Sequence, residues 1–485
     1  MSDPRARPRP RSRRTPADPA RVAAFDVLAA IRDKDSYTNL VLPPLLRLRG
    51  ITGRDAAFVT ELVSGTVRRQ GTYDAVLGAA LTRPLAAVDP PVLDALRLGA
   101  HQVLSMRVPT HAAVATTVDL VRARVGHGPA GLVNAVLRKV AAHDLSGWVR
   151  RVAPDPVADP VGFSSVAHSH PRWVVEALGE ALAAGGTVKE LDALLAADNE
   201  APTVTLVARP GLSSVDELVA AGATASTMSP QAAHLGSGGD PGQVPAVAER
   251  RAGVQDEGSQ LVALALASAA VVPWAGAPAD GQPFPDGAGD TWERWLDLCA
   301  GPGGKAALLA ALAGRRGARL LASERQPHRS SLVAGATSRA GNGLLGVVTA
   351  DGTRPAWREG SFDRVLVDAP CTGLGALRRR PEARWRRTPA DLEQLVPLQR
   401  DLLRSAIVGA RRGGVVVYAT CSPVLAETSG VVSAVLAERD DVHLEDAAPL
   451  LPGVQDSAGP LAGTVQLWPH RHGTDAMFLA LLRRT

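Results

Sequence analysis

Residues 295–313 read WLDLCAGPGGKAALLAALA. A short apolar run meets a Gly/Pro turn, and an alanine- and leucine-rich run follows. That order predicts a strand, a tight loop and a helix. Glycines let a backbone approach a ligand closely, and the first turn of a helix offers free amide donors. The spacing is not GxGxxG, which argues against a nicotinamide loop. Nor is it a triphosphate loop, because Ala306 stands where a magnesium-holding hydroxyl would be needed. An adenosyl cofactor fits this loop better than either.

Downstream, strand-like and helix-like segments alternate. After WLDLCA come RLLASE (319–324), LLGVVTAD (344–351), FDRVLVDAP (362–370) and GGVVVYATCS (413–422). This alternation predicts a doubly wound α/β domain over 255–485, with its chemistry at the carboxyl ends of the strands. Asp297, Glu324 and Asp351 lie at the first three ends. Glu324 suits ribose hydroxyls, and Asp351 suits an adenine amine.

Two of the three cysteines lie at later ends: Cys371 in DAPC (368–371), beside Asp368, and Cys421 in TCSP (420–423). Adjacent strands would bring both thiols and the acid to one pocket. Cys299, inside the first motif, reads as structural. Two thiols, an acid and an adenosyl site suit methylation of a pyrimidine at carbon 5. That carbon is a poor nucleophile until a thiolate adds at carbon 6. An acid at ring nitrogen 3 would stabilise the developing charge, and a base would remove the carbon 5 proton.

Upstream, RVAAFDVLAAI (21–31) places Val22, Phe25, Leu28 and Ile31 near one helical face. Similar segments follow, predicting a compact helical domain over 21–145. Residues 146–254 read as a linker and small α/β subdomain. Residues 1–20 form a Pro/Arg tail too polar to bury. The turn-rich stretch 271–290 reads as a surface loop without chemistry.

Composition narrows the function further. The net charge of +5 is a weak sign of an anionic partner. Only four lysines occur, so Lys305 in the glycine loop stands out. Three cysteines without CxxC spacing exclude a disulfide scaffold and a cysteine zinc knuckle, and no metal is expected. Neither a secretory signal nor a transmembrane run is legible, so a cytoplasmic setting is expected, where thiols stay reduced. Candidate phosphate contacts are Arg68, Arg69, Arg138 and Lys139. A second group, Arg378, Arg379, Arg380, Arg384 and Arg386, surrounds Trp385 between the two cysteines.

DLCAGPGGK (297–305), DAPCTGLG (368–375), RRRPEARWR (378–386) and TCSP (420–423) resemble the S-adenosylmethionine-dependent RNA 5-methylcytosine methyltransferases. The subgroup resembled is ribosomal RNA small subunit methyltransferase B, the Sun/Fmu family. RDAAFVTELVSGTVRR (54–69) and GLVNAVLRK (131–139) are similar to the NusB-like amino-terminal domain of that subgroup. The resemblance implies an all-α NusB-like domain, the small α/β region, and a Rossmann-like class I methyltransferase domain. It implies that Cys421 is the nucleophile toward cytosine carbon 6 and that Cys371 assists product release. Asp368 would contact the ring, and Lys305 would lie near the pocket or the cofactor carboxylate. Cys299, Ala300, Gly301, Pro302, Gly303, Gly304, Lys305, Glu324, Arg329, Asp351 and Asp368 are the implied cofactor-binding positions. The implied partner is small-subunit ribosomal RNA or its assembly particle, and a monomer is expected.

The chain departs from the family after TCSP, where one acid, Glu427, stands in place of the usual two. Three alternatives stay open on the residues alone: transfer RNA as substrate, a noncatalytic RNA-binding assembly factor, and a nicotinamide oxidoreductase. The missing GxGxxG weighs against the last.

Overall fold

The computed structural model describes residues 17–34, 37–236, 240–272 and 293–485. The Pro/Arg tail to residue 16 and most of the 271–290 stretch lie outside the described residues. The chain divides into two compact units, one ending at Asp159 and the other beginning at Pro160.

The first unit is helical: Pro19–Lys34, Thr38–Leu48, Gly53–Arg68, Gln70–Ala80, Pro90–Leu104, Thr110–Arg124, Ala130–Val140 and Leu145–Val152. The first helix begins two residues earlier than the expected tail boundary. It buries Ala23, Ala24, Phe25, Val27 and Leu28, while Val22 and Ile31 are only half-buried. A strict three-residue spacing drifts around a 3.6-residue helix, so the true buried face steps by three and four. The helix Leu145–Val152 belongs to this unit, which therefore runs past residue 145.

The second unit opens with helices Pro160–His168, Arg172–Ala184 and Leu191–Ala197. Strands β1 (Val204–Ala208), β2 (Ala223–Ala225), β3 (Ala232–Leu235) and β4 (Ala252–Val254) follow, in an antiparallel sheet ordered β2-β3-β1-β4. The expected subdomain over 146–254 is thus three separate pieces: a helix of the first unit, a helical group, and this sheet.

The main sheet contains β5 (Arg294–Asp297), β6 (Arg319–Glu324), β7 (Leu344–Thr349), β8 (Phe362–Asp368) and β9 (Ala410–Thr420), with β10 (Val442–Glu445), β11 (Val465–Gln466) and β12 (Phe478–Arg484). Its order is β10-β12-β9-β8-β5-β6-β7, and β11 pairs with β12. β5 to β9 run parallel, whereas β12 and β10 close one side antiparallel.

Alternate residues of each strand feed two cores. Trp295, Leu366, Val415 and Val417 pack on one face, and Leu296, Val365, Val367, Val416 and Tyr418 pack on the other. Burial on both faces is what parallel strands between helices require, and it explains their near-continuous apolar runs. Chain order reverses between β5 and β8. The crevice beyond the carboxyl ends at such a switch point is where this architecture binds ligands.

Candidate active site

Three loops meet at that crevice. The β5 loop carries the glycines, the β8 loop carries Asp368 and Cys371, and the end of β9 carries Cys421. Cys371 Sγ and Cys421 Sγ lie 3.5 Å apart, although 50 residues separate them in sequence. The β8–β9 register places Asp368 beside Ala419, which delivers the two thiols together. The Ala369 amide donates to the Ala419 carbonyl at 2.9 Å, and the Gly375 amide donates to the Cys421 carbonyl at 2.9 Å.

Their shared hydrogen bond lowers the Cys421 thiol below the ordinary range and raises Cys371 well above it. Lys305 and Arg380 add to the lowering at Cys421. These positive charges make Cys421 the thiol favoured to ionise, and Cys371 Sγ lies within hydrogen-bond reach of it.

Lys305 Nζ donates to Asp368 Oδ2 at 2.7 Å. Burial works against the lysine charge, but the Asp368 charge and hydrogen bond, together with Cys421 and Asp297, outweigh it and hold the ammonium above the usual lysine range. Asp297, fully buried beneath them, is pushed up to about 7 by burial and by the Asp368 charge.

Gly303 has φ +110° and opens the helix Gly304–Arg316. A Cβ there would meet Ala336 Cβ at 2.7 Å, so only glycine fits. Glu324 Oε2 accepts the Gly301 amide at 3.1 Å, and Glu324 Oε1 accepts the Gln326 amide at 2.9 Å. Arg329 donates to the Gly301 carbonyl at 2.6 Å and lies 3.5 Å from Glu324. Asp351 accepts from the Thr353 hydroxyl and amide, which hold it below the usual carboxylate range. Bare glycines at a helix start, flanked by acids at the next two strand ends, fit an adenosyl cofactor. Cys299 sits at the edge of the second core.

Several arginines read as phosphate contacts turn out to be internal. Arg384 is fully buried and donates to the Ser169 carbonyl at 3.1 Å, Asn199 Oδ1 at 2.8 Å and the Asp198 carbonyl at 3.0 Å. Those acceptors lie at the ends of helices Pro160–His168 and Leu191–Ala197, where a cation offsets the helix dipole. Arg378 is buried and donates to the Gly473 carbonyl at 2.6 Å. Arg379 bridges Asp256 at 2.5 Å and Asp475 at 3.1 Å. In the first unit Arg68 is buried, 3.8 Å from Glu61. Arg384, Arg378 and Arg68 are committed to packing, and the half-buried Arg379 to its two ion pairs. Arg380, Arg138 and Lys139 are exposed, while Arg69, Trp385 and Arg386 are half-buried. Lys139 also donates to the Ala80 carbonyl.

Gln399, Thr372 and Ser422 join the site without having stood out in the sequence, and Glu427 stood out only as a departure from the family. Glu427 is fully buried and accepts from the Thr372 amide (2.8 Å), the Thr372 hydroxyl (2.5 Å) and Gln399 Nε2 (3.0 Å). A lone acid inside an apolar stretch shortly after Cys421 is the one signal that points to it.

Among the described residues no group of three or more His, Cys, Asp or Glu side chains could hold a metal ion. No described helix is long and apolar enough to cross a membrane.

Comparison with known proteins identifies the family. Residues 288–483 match the family of 16S rRNA methyltransferase RsmB/F, and residues 18–142 match the NusB family. A putative methyltransferase of Mycobacterium tuberculosis is 53% identical over 98% of this chain and 99% of its own length. A probable ribosomal RNA small subunit methyltransferase B of Synechocystis is 31% identical over 96% of this chain and 99% of its own length. In fold, the crystal structure of PH0851 superposes with a TM-score of 0.75 at 21% identity, covering 96% of this chain and 99% of that one. The helical NusB domain and the Rossmann-like domain are those of one family: the chain is a member of the RsmB/F family of S-adenosylmethionine-dependent RNA methyltransferases.

Proposed function

We propose that the protein methylates carbon 5 of a cytidine in small-subunit (16S) ribosomal RNA through a thioether to Cys421. The observation that carries this reading is the pair of thiols 3.5 Å apart beside the Lys305–Asp368 pair. The family description and the Synechocystis relative's name support the RNA class.

Cys421, the readily ionised thiol, adds to cytosine carbon 6 and makes carbon 5 electron-rich. Asp368 contacts the ring edge, and the Lys305 ammonium behind it steadies the negative charge that develops at ring nitrogen 3. The Cys299–Lys305 loop, Glu324, Arg329 and Asp351 would hold S-adenosylmethionine, which when bound would offer carbon 5 an electrophilic sulfonium methyl. A general base then takes the carbon 5 proton, the freed electron pair re-forms the carbon 5–carbon 6 double bond and expels the Cys421 sulfur as thiolate, and Cys371, within hydrogen-bond reach, assists that release.

Arg69, Arg138, Lys139, Arg380 and Arg386 are the remaining candidates for phosphate contacts. The base must leave its stack to reach the crevice.

The test is transfer of labelled methyl from S-adenosylmethionine to undermethylated 16S RNA, with transfer RNA in parallel, followed by nucleoside mass spectrometry. Label in 5-methylcytidine of 16S RNA is the expected result. Label in transfer RNA alone, or in another nucleoside, overturns the reading.

A further inference from the structure

Each residue flanking Cys371 is held by the same buried pair. Glu427 accepts from the Thr372 amide at 2.8 Å and from the Thr372 hydroxyl at 2.5 Å. Gln399 Nε2 donates both to the Pro370 carbonyl at 2.9 Å and to Glu427 Oε1 at 3.0 Å. Gln399 and Glu427 are themselves fully buried. The Thr372 hydroxyl has one proton, and it goes to Glu427. It therefore accepts from Ser422 Oγ, 3.0 Å away, which ties the network to the residue after Cys421. The Tyr418 hydroxyl donates to the Glu427 backbone carbonyl at 2.7 Å, fixing the turn that carries the acid to β9.

We infer that Glu427, braced by Gln399, is a positioning residue: it clamps the Pro370–Thr372 loop so that Cys371 rests against Cys421 and the two thiols keep separate roles. The inference builds on the thiol-addition reading above.

The chemistry favours this over simple loop packing. A carboxylate buried among an amide, a hydroxyl and a carboxamide is costly unless it is well bonded, and here three donors converge on it. A neutral glutamine could satisfy the Thr372 amide more cheaply. The charge has a use close by, because it is one of the causes that hold the Cys371 thiol up and protonated. A protonated Cys371 can donate to Cys421, and that hydrogen bond is the largest cause lowering the Cys421 thiol. Geometry and charge thus act in the same direction: one thiol is left as the nucleophile and the other as its donor.

The test begins with protein alone. Wild type, Glu427→Gln and Thr372→Val are alkylated with limiting iodoacetamide across pH, and labelling of Cys371 and Cys421 is read by peptide mass spectrometry. In wild type Cys421 should take nearly all the label. In both variants selectivity for Cys421 should fall at least several-fold, with its labelling midpoint moved to higher pH. Single-turnover methyl transfer should slow by about tenfold to a hundredfold, as expected when reacting groups lose alignment. S-adenosylmethionine affinity should stay unchanged.

Thr372→Val keeps side-chain shape and the buried acid, so it answers the question if Glu427→Gln does not fold. Wild-type selectivity, midpoint and rate in a folded variant would overturn the clamp. Absence of any Cys421 adduct with RNA in wild type would instead overturn the thiol-addition reading. The alkylation result stands apart from that outcome, because it needs neither RNA nor cofactor.

Discussion

Replacing Arg384 by methionine separates a structural tether from an RNA contact. The guanidinium is wholly buried and donates to the Ser169 and Asp198 carbonyls and to Asn199 Oδ1. A hydrogen bond to a charged group contributes roughly 1.5–3 kcal/mol, but several on one side chain are not additive. Methionine fills much of the volume yet leaves the acceptors at two helix ends unpaired. It also takes from Asp198, itself buried, one of its two neighbouring positive charges, the other being Arg378. Removing one partner from a buried charged cluster costs roughly 3–5 kcal/mol. For a unit spanning residues 160–485, ~4 kcal/mol lowers Tm by roughly 6 °C. The assay is differential scanning calorimetry of wild type and Arg384→Met, with RNA binding measured from about 50 to 300 mM salt on the folded proteins. The salt slope should be unchanged. A Tm within about 1 °C of wild type, together with a slope reduced by about one, would refute the tether and return Arg384 to the phosphate-binding candidates.

Other outcomes follow from the same geometry. Cys421→Ala should abolish both methylation and the covalent RNA adduct, whereas Cys371→Ala should accumulate the adduct on denaturing gels. The reverse pattern would exchange the two roles. The Cys421 alkylation midpoint should lie below the roughly 8.5 of a free thiol and rise in Cys371→Ala and in Lys305→Met, since each removes a cause of the lowering. An unchanged midpoint in both would remove the electrostatic account. Burial pushes Asp198 up to about 7, above its unfolded value of roughly 4. Its stabilising contribution is therefore complete below about pH 4 and is lost as pH rises through about 7. Asp198→Asn should raise Tm relative to wild type at about pH 8 but not at about pH 4, a difference on the order of 3–4 kcal/mol; parallel pH profiles would contradict it. Finally, charge removal at Arg380 and Arg386 should flatten the salt dependence of RNA binding, by about one unit of slope for each phosphate left without its cation.

Much of the fold was legible from local order and period. Apolar runs broken by Gly, Pro and acids mark the strand ends, and WLDLCAGPGGK, DAPC and TCSP bring the candidate site to three of them. Short-range steric and hydrophobic preferences suffice for that, because each motif is contiguous. Which distant groups meet, and which charges lie inside, depends on the folded chain. Arg384 and Arg386 are two residues apart in one basic run, yet the first caps two helices and the second does not reach full burial. Composition cannot distinguish them, since burial depends on what packs above the short helix Ala383–Arg386. Gln399 and Glu427 likewise become a pair only when the β8–β9 register brings the Cys371 loop against the end of β9. A buried acid is stable only where several donors converge on it, and the donors from Thr372 and Gln399 reach Glu427 only once the strands have paired.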